Sequence, residues 1–392
     1  MIYSPEFILI GGGVRCGNSV LNFLLDGHDE LLVYPFEFKF KHREKCHPWA
    51  PKLPYFEKII YRVNPKLIMQ YFDFDSFIGI NQSGYIQKAG SKHIKIDFNK
   101  KLFNKIFLET IQLSKKQGIN NRIIMDALNN AMFKASGCSM KNKRFVVGSW
   151  PNSCFINVDQ YFNTYNKGFF IHVLRDLKSW VASMKQWMLK NGRKGDFVEE
   201  AVKMWLLMLE IAVINSIKHA NRYILVYHNN LVTDTKNEMF LLLKLMGLNP
   251  DYKCLKPTCL GKSWHGNMSN KKIDVKGKVE TKHLKAWEII LNDSEITTCD
   301  KIWNFFKEDF STNNSEIIQK KLVANHKKYF DSIIRTDTYT FGDLYHNKKN
   351  KDKLVTSLQL YNYIYGLRLR RRLDLLIDEF IGQILYKKLL IL

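Results

Sequence analysis

Glycines 11, 12 and 13, followed by Arg15, Gly17, Asn18 and Ser19, stand between an apolar run and the first turn of an apolar-periodic helix. Such a turn passes through backbone conformations closed to other residues, and it offers several N–H groups at the positive end of a helix, the arrangement that binds anions. From Gly12 to Ser19 the spacing follows the phosphate-loop pattern G-x-x-x-x-G-K-[ST] at every defined position except the lysine, which here is Asn18. A nucleotide triphosphatase uses that lysine on the β- and γ-phosphates, so its loss argues against ATP or GTP hydrolysis. Arg15 supplies the cation instead and suits a shorter phosphate-bearing group. A second set, Arg175 and Asp176 with Ser179 and Ser183 one and two turns on, closes a later apolar run. A third lies in Pro257–Lys272, where Lys262, Trp264, His265, Gly266, Asn267 and Ser269 could wrap a nucleotide; a solvated surface loop has the same polarity.

The elements that must position these residues read as an alternation. Phe7 to Ile10 is too short for a helix and suits a central strand covered on both faces. Val20, Leu21, Phe23, Leu24 and Leu25 begin a helix that Asn18 and Ser19 can cap and Gly27 ends. Further apolar runs lie at 31–34, 144–148 (RFVVG), 168–174 (GFFIHVL) and 223–227 (YILVY), with helical periodicity between them. The expected fold class is therefore α/β, a central parallel sheet flanked by helices on both faces. Asp176 can cap the helix over 176–190, and the helix over 196–220 presents Val198, Val202, Trp205, Leu206, Leu209, Val213 and Ile217 as a wide apolar face, read as core packing. Leu102, Ile106 and Leu113 mark another packing helix, continued over 123–135.

The expected organisation is a domain over 1–310 with an insertion at about 41–144, and a helical C-terminal extension over 311–392. Residues 41–100 are rich in proline and aromatics and read as loop and short helix over the sheet, a substrate lid. A net charge of +23 suits an anionic nucleotide, an acidic polymer, nucleic acid or a membrane surface, and does not choose among them. The seven cysteines are odd in number and scattered, which suits reduced, buried thiols rather than a disulfide framework. Cys254, Cys259 and His265 are too weak a pattern for a metal, and none is expected. No basic leader or long apolar segment is visible, so a soluble cytoplasmic protein is expected. The tail holding Arg368, Arg370, Arg371 and Arg372 is read as a packed helix with a solvated basic face, with contact to a membrane surface or an acidic partner as the alternative.

Two of these motifs together resemble the sulfotransferase family that uses 3′-phosphoadenosine 5′-phosphosulfate (PAPS). Gly13-Val14-Arg15-Cys16-Gly17-Asn18-Ser19-Val20-Leu21 resembles the family's 5′-phosphosulfate loop, written near P-[KR]-S-G-T-[ST]-x-[LW]. Val173-Leu174-Arg175-Asp176, with Ser183 eight residues after Arg175, resembles its 3′-phosphate signature. Weaker likeness lies in YHNNLV at 227–232, where the family often has Y-E-D-L, and in 261–269, similar to a late nucleotide loop of bacterial members. The resemblance spans Phe7 to Lys272, apart from 41–144. One departure is Ser149, where many members carry a lysine before Thr-Pro.

The resemblance implies PAPS as donor and a hydroxyl or amine of a saccharide or other small molecule as acceptor, with no nucleic acid partner. Gly13, Arg15, Cys16, Gly17, Asn18 and Ser19 then bind the 5′ end of the donor, Arg175 and Ser183 the 3′-phosphate, and Lys262, Trp264, Gly266 and Asn267 the remainder of the nucleotide. Sulfuryl transfer needs charge stabilisation on the leaving phosphate, a task for Arg15 and the loop N–H groups, and a base for the acceptor. Glu37, just past Pro35 where relatives acting on carbohydrate or tyrosine place a glutamate, is the expected base. His28 is the alternative, histidine being the side-chain type suited to proton transfer near neutral pH, although its place in a D-G-H turn suits a structural histidine. A kinase and a non-catalytic polyanion- or membrane-binding protein on the same fold are the rival readings.

Overall fold

The computed structural model describes residues 5–37, 94–114, 120–150, 158–192, 197–264, 266 and 279–335. One compact unit comprises Met1–Pro51 and Ile59–Val323, and a second comprises Lys52–Lys58 and Ala324–Leu392. The first contains a five-stranded sheet of β1 (Glu6–Gly12), β2 (Leu31–Glu37), β3 (Phe145–Ser149), β4 (Phe169–Leu174) and β5 (Tyr223–Tyr227). Its order is β2-β3-β1-β4-β5 and every pairing is parallel. The strands read as continuous apolar runs because both faces are covered: Phe7, Ile8, Leu9 and Ile10 are all fully buried. The chain leaves β1 toward β2 on one side and reaches β4 and β5 on the other. This reversal of strand order places a ligand crevice beyond the C-terminal end of β1.

Helices α1 (Asn18–Leu24), α2 (Lys100–Ser114), α3 (Asn121–Ala135), α4 (Val158–Thr164), α5 (Leu177–Lys190), α6 (Val198–Lys218), α7 (His228–Thr233) and α8 (Thr235–Leu245) follow in chain order. After a short hairpin of β6 (Thr258–Cys259) and β7 (Lys262–Ser263) come a 3₁₀ turn at Lys282–Lys285, α9 (Trp287–Ile290), α10 (Asp293–Phe306) and α11 (Ser315–Arg335). Polar side chains lock the layers together. The Tyr161 hydroxyl reaches Phe7 O (2.6 Å) and Phe169 O (2.9 Å), tying α4 to two strands, and Tyr34 OH donates to Asn129 Oδ1 at 2.7 Å, tying β2 to α3. The edge strand β5 is covered by the first turns of α11: Leu225 N donates to Gln319 Oε1 at 2.9 Å and Tyr227 N to Ser315 Oγ at 2.8 Å. Such pairing removes the open donors of an edge strand. It also places residues 315–323 with the sheet, beyond the expected boundary at 310.

The packing helices expected from the spacing over 102–135 are present as the packed pair α2 and α3, whereas the lid reading of 41–100 falls mostly on 41–93, outside the described residues. One sequence expectation is corrected, the buried face of α2. In α2 the buried stripe is Phe103, Phe107 and Ile111, whereas Leu102 is 37% and Leu113 74% exposed. Aromatic volume, which apolar spacing alone does not weigh, decides which face turns inward.

A pH prediction arises from β4. His172 is fully buried, its Nδ1 lies 2.7 Å from Tyr223 OH, and burial pushes its ionisation down to about 3. The unfolded chain protonates this ring near pH 6.5, so below that pH the unfolded state binds more protons and stability falls. The slope approaches 1.36 kcal/mol per pH unit, or about 3 kcal/mol between pH 6.5 and pH 4. Urea unfolding at the two pH values checks this, and His172→Asn is expected to flatten the loss by about that amount.

Candidate active site

The glycine turn after β1 is shaped by close packing. Gly12 has φ 124° and a Cβ there would lie 2.3 Å from the Val173 carbonyl of β4; Gly17 has φ 103° and a Cβ there would lie 2.1 Å from His228 Cδ2. Any side chain at either position meets both a steric and a conformational barrier. Arg15 is a non-glycine residue at φ 67°, a conformation that costs energy and persists only where the surroundings enforce it. The enforcing contacts come from a helix and a strand–helix corner far along the chain. Trp180 Nε1 of α5 donates to Val14 O at 2.8 Å, and Arg175 Nη1 donates to Arg15 O at 3.3 Å. Trp205 Nε1 of α6 donates to Arg175 O at 2.8 Å and fixes the corner between β4 and α5.

The two sequence motifs therefore meet. Arg15 Nε donates to Ser183 Oγ at 3.1 Å, joining residues 168 positions apart. Arg175 is only 9% exposed, and burial, with Arg15 close by, brings its ionisation down to about 10, which leaves it charged at neutral pH. Its Nε has no hydrogen-bond partner. Burial also lowers the Arg15 ionisation, opposed by the nearby Glu37 carboxylate. Two guanidinium groups around a strained, glycine-bearing backbone turn make a strongly anion-selective place.

Glu37 lies at the C-terminal end of β2, paired in register with Ser149 of β3, and its Oε1 accepts from Ser19 Oγ at 2.6 Å. The carboxylate thus stands at the rim where β1 releases its loop. Ser149 is fully buried in the sheet and its Oγ has no partner, so this position contributes neither charge nor reach. Asp176 caps α5 as expected, accepting from Ser179 N at 2.9 Å.

Other expected site residues are placed differently. Asn18 and Ser19 do not cap α1, whose N-cap is Gly17 without a side-chain bond. The Asn18 amide instead donates to Gly13 O at 3.2 Å and holds the loop from within, and Ser19 serves Glu37. Cys16 is fully buried, and burial pushes its thiol up to about 12, so it is a packing side chain. His28 lies three residues before β2, at the N-terminal edge of the sheet, with Nε2 3.0 Å from Asn249 O and Nδ1 accepting from Glu30 N. Both ring nitrogens are engaged across the length of a strand from the loop, so His28 does not join the site.

The hairpin is held at the other end of α1. Asp26 accepts from Thr258 Oγ1 (2.7 Å) and Gly261 N (2.9 Å), and Trp264 packs on Phe23 with ring centroids 4.9 Å apart. At 3% exposure Trp264 has no face left for a base, and the exposed Lys262 donates to Lys95 O at 3.3 Å. Gly266 is buried with φ 82°, while Asn267 and His265 lie outside the described residues.

The sequence reading missed Trp180 as a support of the loop, the bond from Trp205 to the Arg175 corner, and His228 and His283 beside Arg175. His228 follows β5 directly at the C-terminal edge of the sheet, the position from which ligand contacts come in this architecture, and that was its available signal.

No protein-family model and no curated protein sequence matches the chain. Among solved structures it is similar to the sulfotransferase domain of the Synechococcus PCC 7002 olefin synthase, at 13% identity over 77% of this chain and 96% of that domain, TM-score 0.44. The sulfotransferase domain from the curacin biosynthetic pathway is similar at 13% identity over 76% and 96%, TM-score 0.41. The sulfotransferase STF1 from Mycobacterium tuberculosis H37Rv is similar at 14% identity over 64% and 70%, TM-score 0.33.

Proposed function

We propose that this chain is a PAPS-dependent sulfotransferase that sulfates a hydroxyl or amine of a saccharide or other small acceptor. The observation that carries the reading is the meeting of Arg15, Ser183 and Arg175 at one glycine turn. A donor bearing phosphate at both 3′ and 5′ positions matches two arginines brought to one turn, and the Arg175 Nε, unpartnered among the described residues, is a donor suited to a phosphate oxygen. The donor supplies an activated sulfuryl group on a phosphate leaving group. The residues of this chain bind and orient it: loop N–H groups and Arg15 hold the 5′ phosphate and stabilise the charge it gains, and Arg175 with Ser183 holds the 3′-phosphate. Glu37 takes the acceptor proton, its orientation set by Ser19.

The kinase reading is weakened because Asn18, at the lysine position, is committed to the Gly13 carbonyl. A non-catalytic anion-binding protein on the same fold is favoured by one observation, the buried Ser149 where a lysine would add charge. Calorimetry with 3′,5′-adenosine bisphosphate and with ATP separates the three. Tighter binding of the bisphosphate supports the sulfotransferase reading, preference for ATP sinks it, and bisphosphate binding with no sulfated product in a mass-spectrometric acceptor screen leaves the non-catalytic protein.

A further inference from the structure

Next to Arg175 lie two histidines that neither phosphate motif contains. His228 is 2% exposed, packs on Gly17 of the loop, and has its ring centroid 5.2 Å from that of His283. His283 sits on the 3₁₀ turn, which is pinned to α5 by the bond from Ser179 Oγ to Leu284 O at 2.8 Å. Among the described residues three buried nitrogens have no hydrogen-bond partner: Arg175 Nε, a donor, and His228 Nδ1 and His283 Nδ1, which donate or accept according to tautomer. A buried polar atom left unpaired costs free energy, and three on groups near enough to shift one another's ionisation, just past β4, just past β5 and on a distant turn, are unlike ordinary core packing. A guanidinium beside two rings that donate once protonated suits an anion with several acceptor oxygens.

We propose that His228 and His283 complete, with Arg175, a phosphate-monoester subsite that takes up protons when it binds, so that affinity for the 3′-phosphate rises as pH falls. The inference takes the nucleotide from the proposed function, and the charge and position of the subsite from the cluster itself. In the free protein burial, Arg175 and the neighbouring ring depress His228 well below its ordinary range, and burial and Arg175 bring His283 down to about 4. Both rings are therefore neutral at pH 7 until an anion arrives, and the anion raises their ionisation. Arg175 itself is flanked by Arg15 and Cys16 in the loop and by Asp176, whose carboxylate is held by Ser179 N, and the Asn229 side chain hydrogen-bonds His228 and opposes part of its depression. The carboxylate has a fixed partner and the thiol is neutral, so an entering phosphate is the group that can change the charge of the pair.

The test is calorimetric titration of the full chain with 3′,5′-adenosine bisphosphate, 3′-AMP and 5′-AMP. It uses two buffers of different ionisation enthalpy, at about pH 6 and about pH 8, on the wild type, His283→Gln and His228→Gln. The expected result is proton uptake with the two 3′-phosphates and little with 5′-AMP, affinity gaining up to about ten-fold per pH unit for each proton taken up. His283→Gln is expected to remove that share of the uptake and flatten the pH dependence. Should His228→Gln fail to fold, His283→Gln alone decides. Equal uptake and equal pH slope in wild type and His283→Gln overturn the proposal while the bisphosphate reading stands. Binding of 3′-AMP with histidine-dependent uptake, but no gain from the added 5′-phosphate, keeps the subsite and sinks the bisphosphate reading; no binding of any of the three sinks both.

Discussion

Arg175→Ala is expected to cost about 10- to 150-fold in affinity for 3′,5′-adenosine bisphosphate, the loss of a charge-assisted contact of about 1.5–3 kcal/mol. The side chain works in two directions at once. Nη1 holds the carbonyl of Arg15, a residue strained at φ 67°, and Nε has no partner among the described residues. Alanine therefore removes the proposed anion contact and one of the bonds that enforce the loop. The two effects separate by measurement: loss of the contact weakens the bisphosphate far more than 5′-AMP, whereas loosening of the loop weakens both alike. Arg175→Lys is expected to fall between wild type and alanine, because an ammonium keeps the charge but not the planar fork that reaches loop and ligand together. Thermal unfolding accompanies both variants, since the residue is buried at the corner held by Trp205. Undiminished bisphosphate affinity in Arg175→Ala would remove the 3′-phosphate assignment.

The second large effect is on turnover. Glu37→Gln is expected to lower the rate of product formation by about 10²- to 10⁴-fold, the usual range for a positioned acid or base, with donor affinity changed only a few-fold. An amide oxygen still accepts from Ser19 Oγ, so the 2.6 Å contact that links the carboxylate to the loop is retained while the proton acceptor is lost. The Glu37 carboxylate lies close enough to Arg15 to favour the charged guanidinium, which ties the two groups to one site. Mass-spectrometric quantification of sulfated acceptor beside calorimetry of the donor checks both halves. A retained rate assigns the proton to another group, and that group is not His28, whose ring is bonded on both sides at the opposite edge of the sheet.

Much of the architecture was legible because buried parallel strands write themselves as short, unbroken apolar runs. Phe7 to Ile10, the apolar stretch at 168–174 and Tyr223 to Tyr227 needed no tertiary information, and their alternation with helical periodicity implied the parallel sheet that the structure contains. The glycine turn was legible for a similar reason, since Gly12 and Gly17 stand where no other residue fits. Side-chain assignments read by type alone fared worse. Trp264 had the chemistry of a base-stacking platform and lies packed on Phe23; Asn18 had the chemistry of a cap and holds a carbonyl of its own loop. Polar and aromatic groups have several satisfactory partners, and which one is used depends on what the fold brings near.

The sequence by itself determined the α/β sheet, the anion-binding turn and the candidate cations, because these depend on local backbone freedom, apolar periodicity and fixed charge. Only the tertiary structure decided that Arg15 meets Ser183 and Arg175 rather than solvent, that two tryptophans hold the loop and its neighbouring corner, and that His228 and His283 lie against each other near Arg175. The physical reason is range. Spacing along a chain reports neighbours within a turn or a strand, whereas a site assembled across about 160 residues and more exists only once the sheet has aligned the ends of its strands.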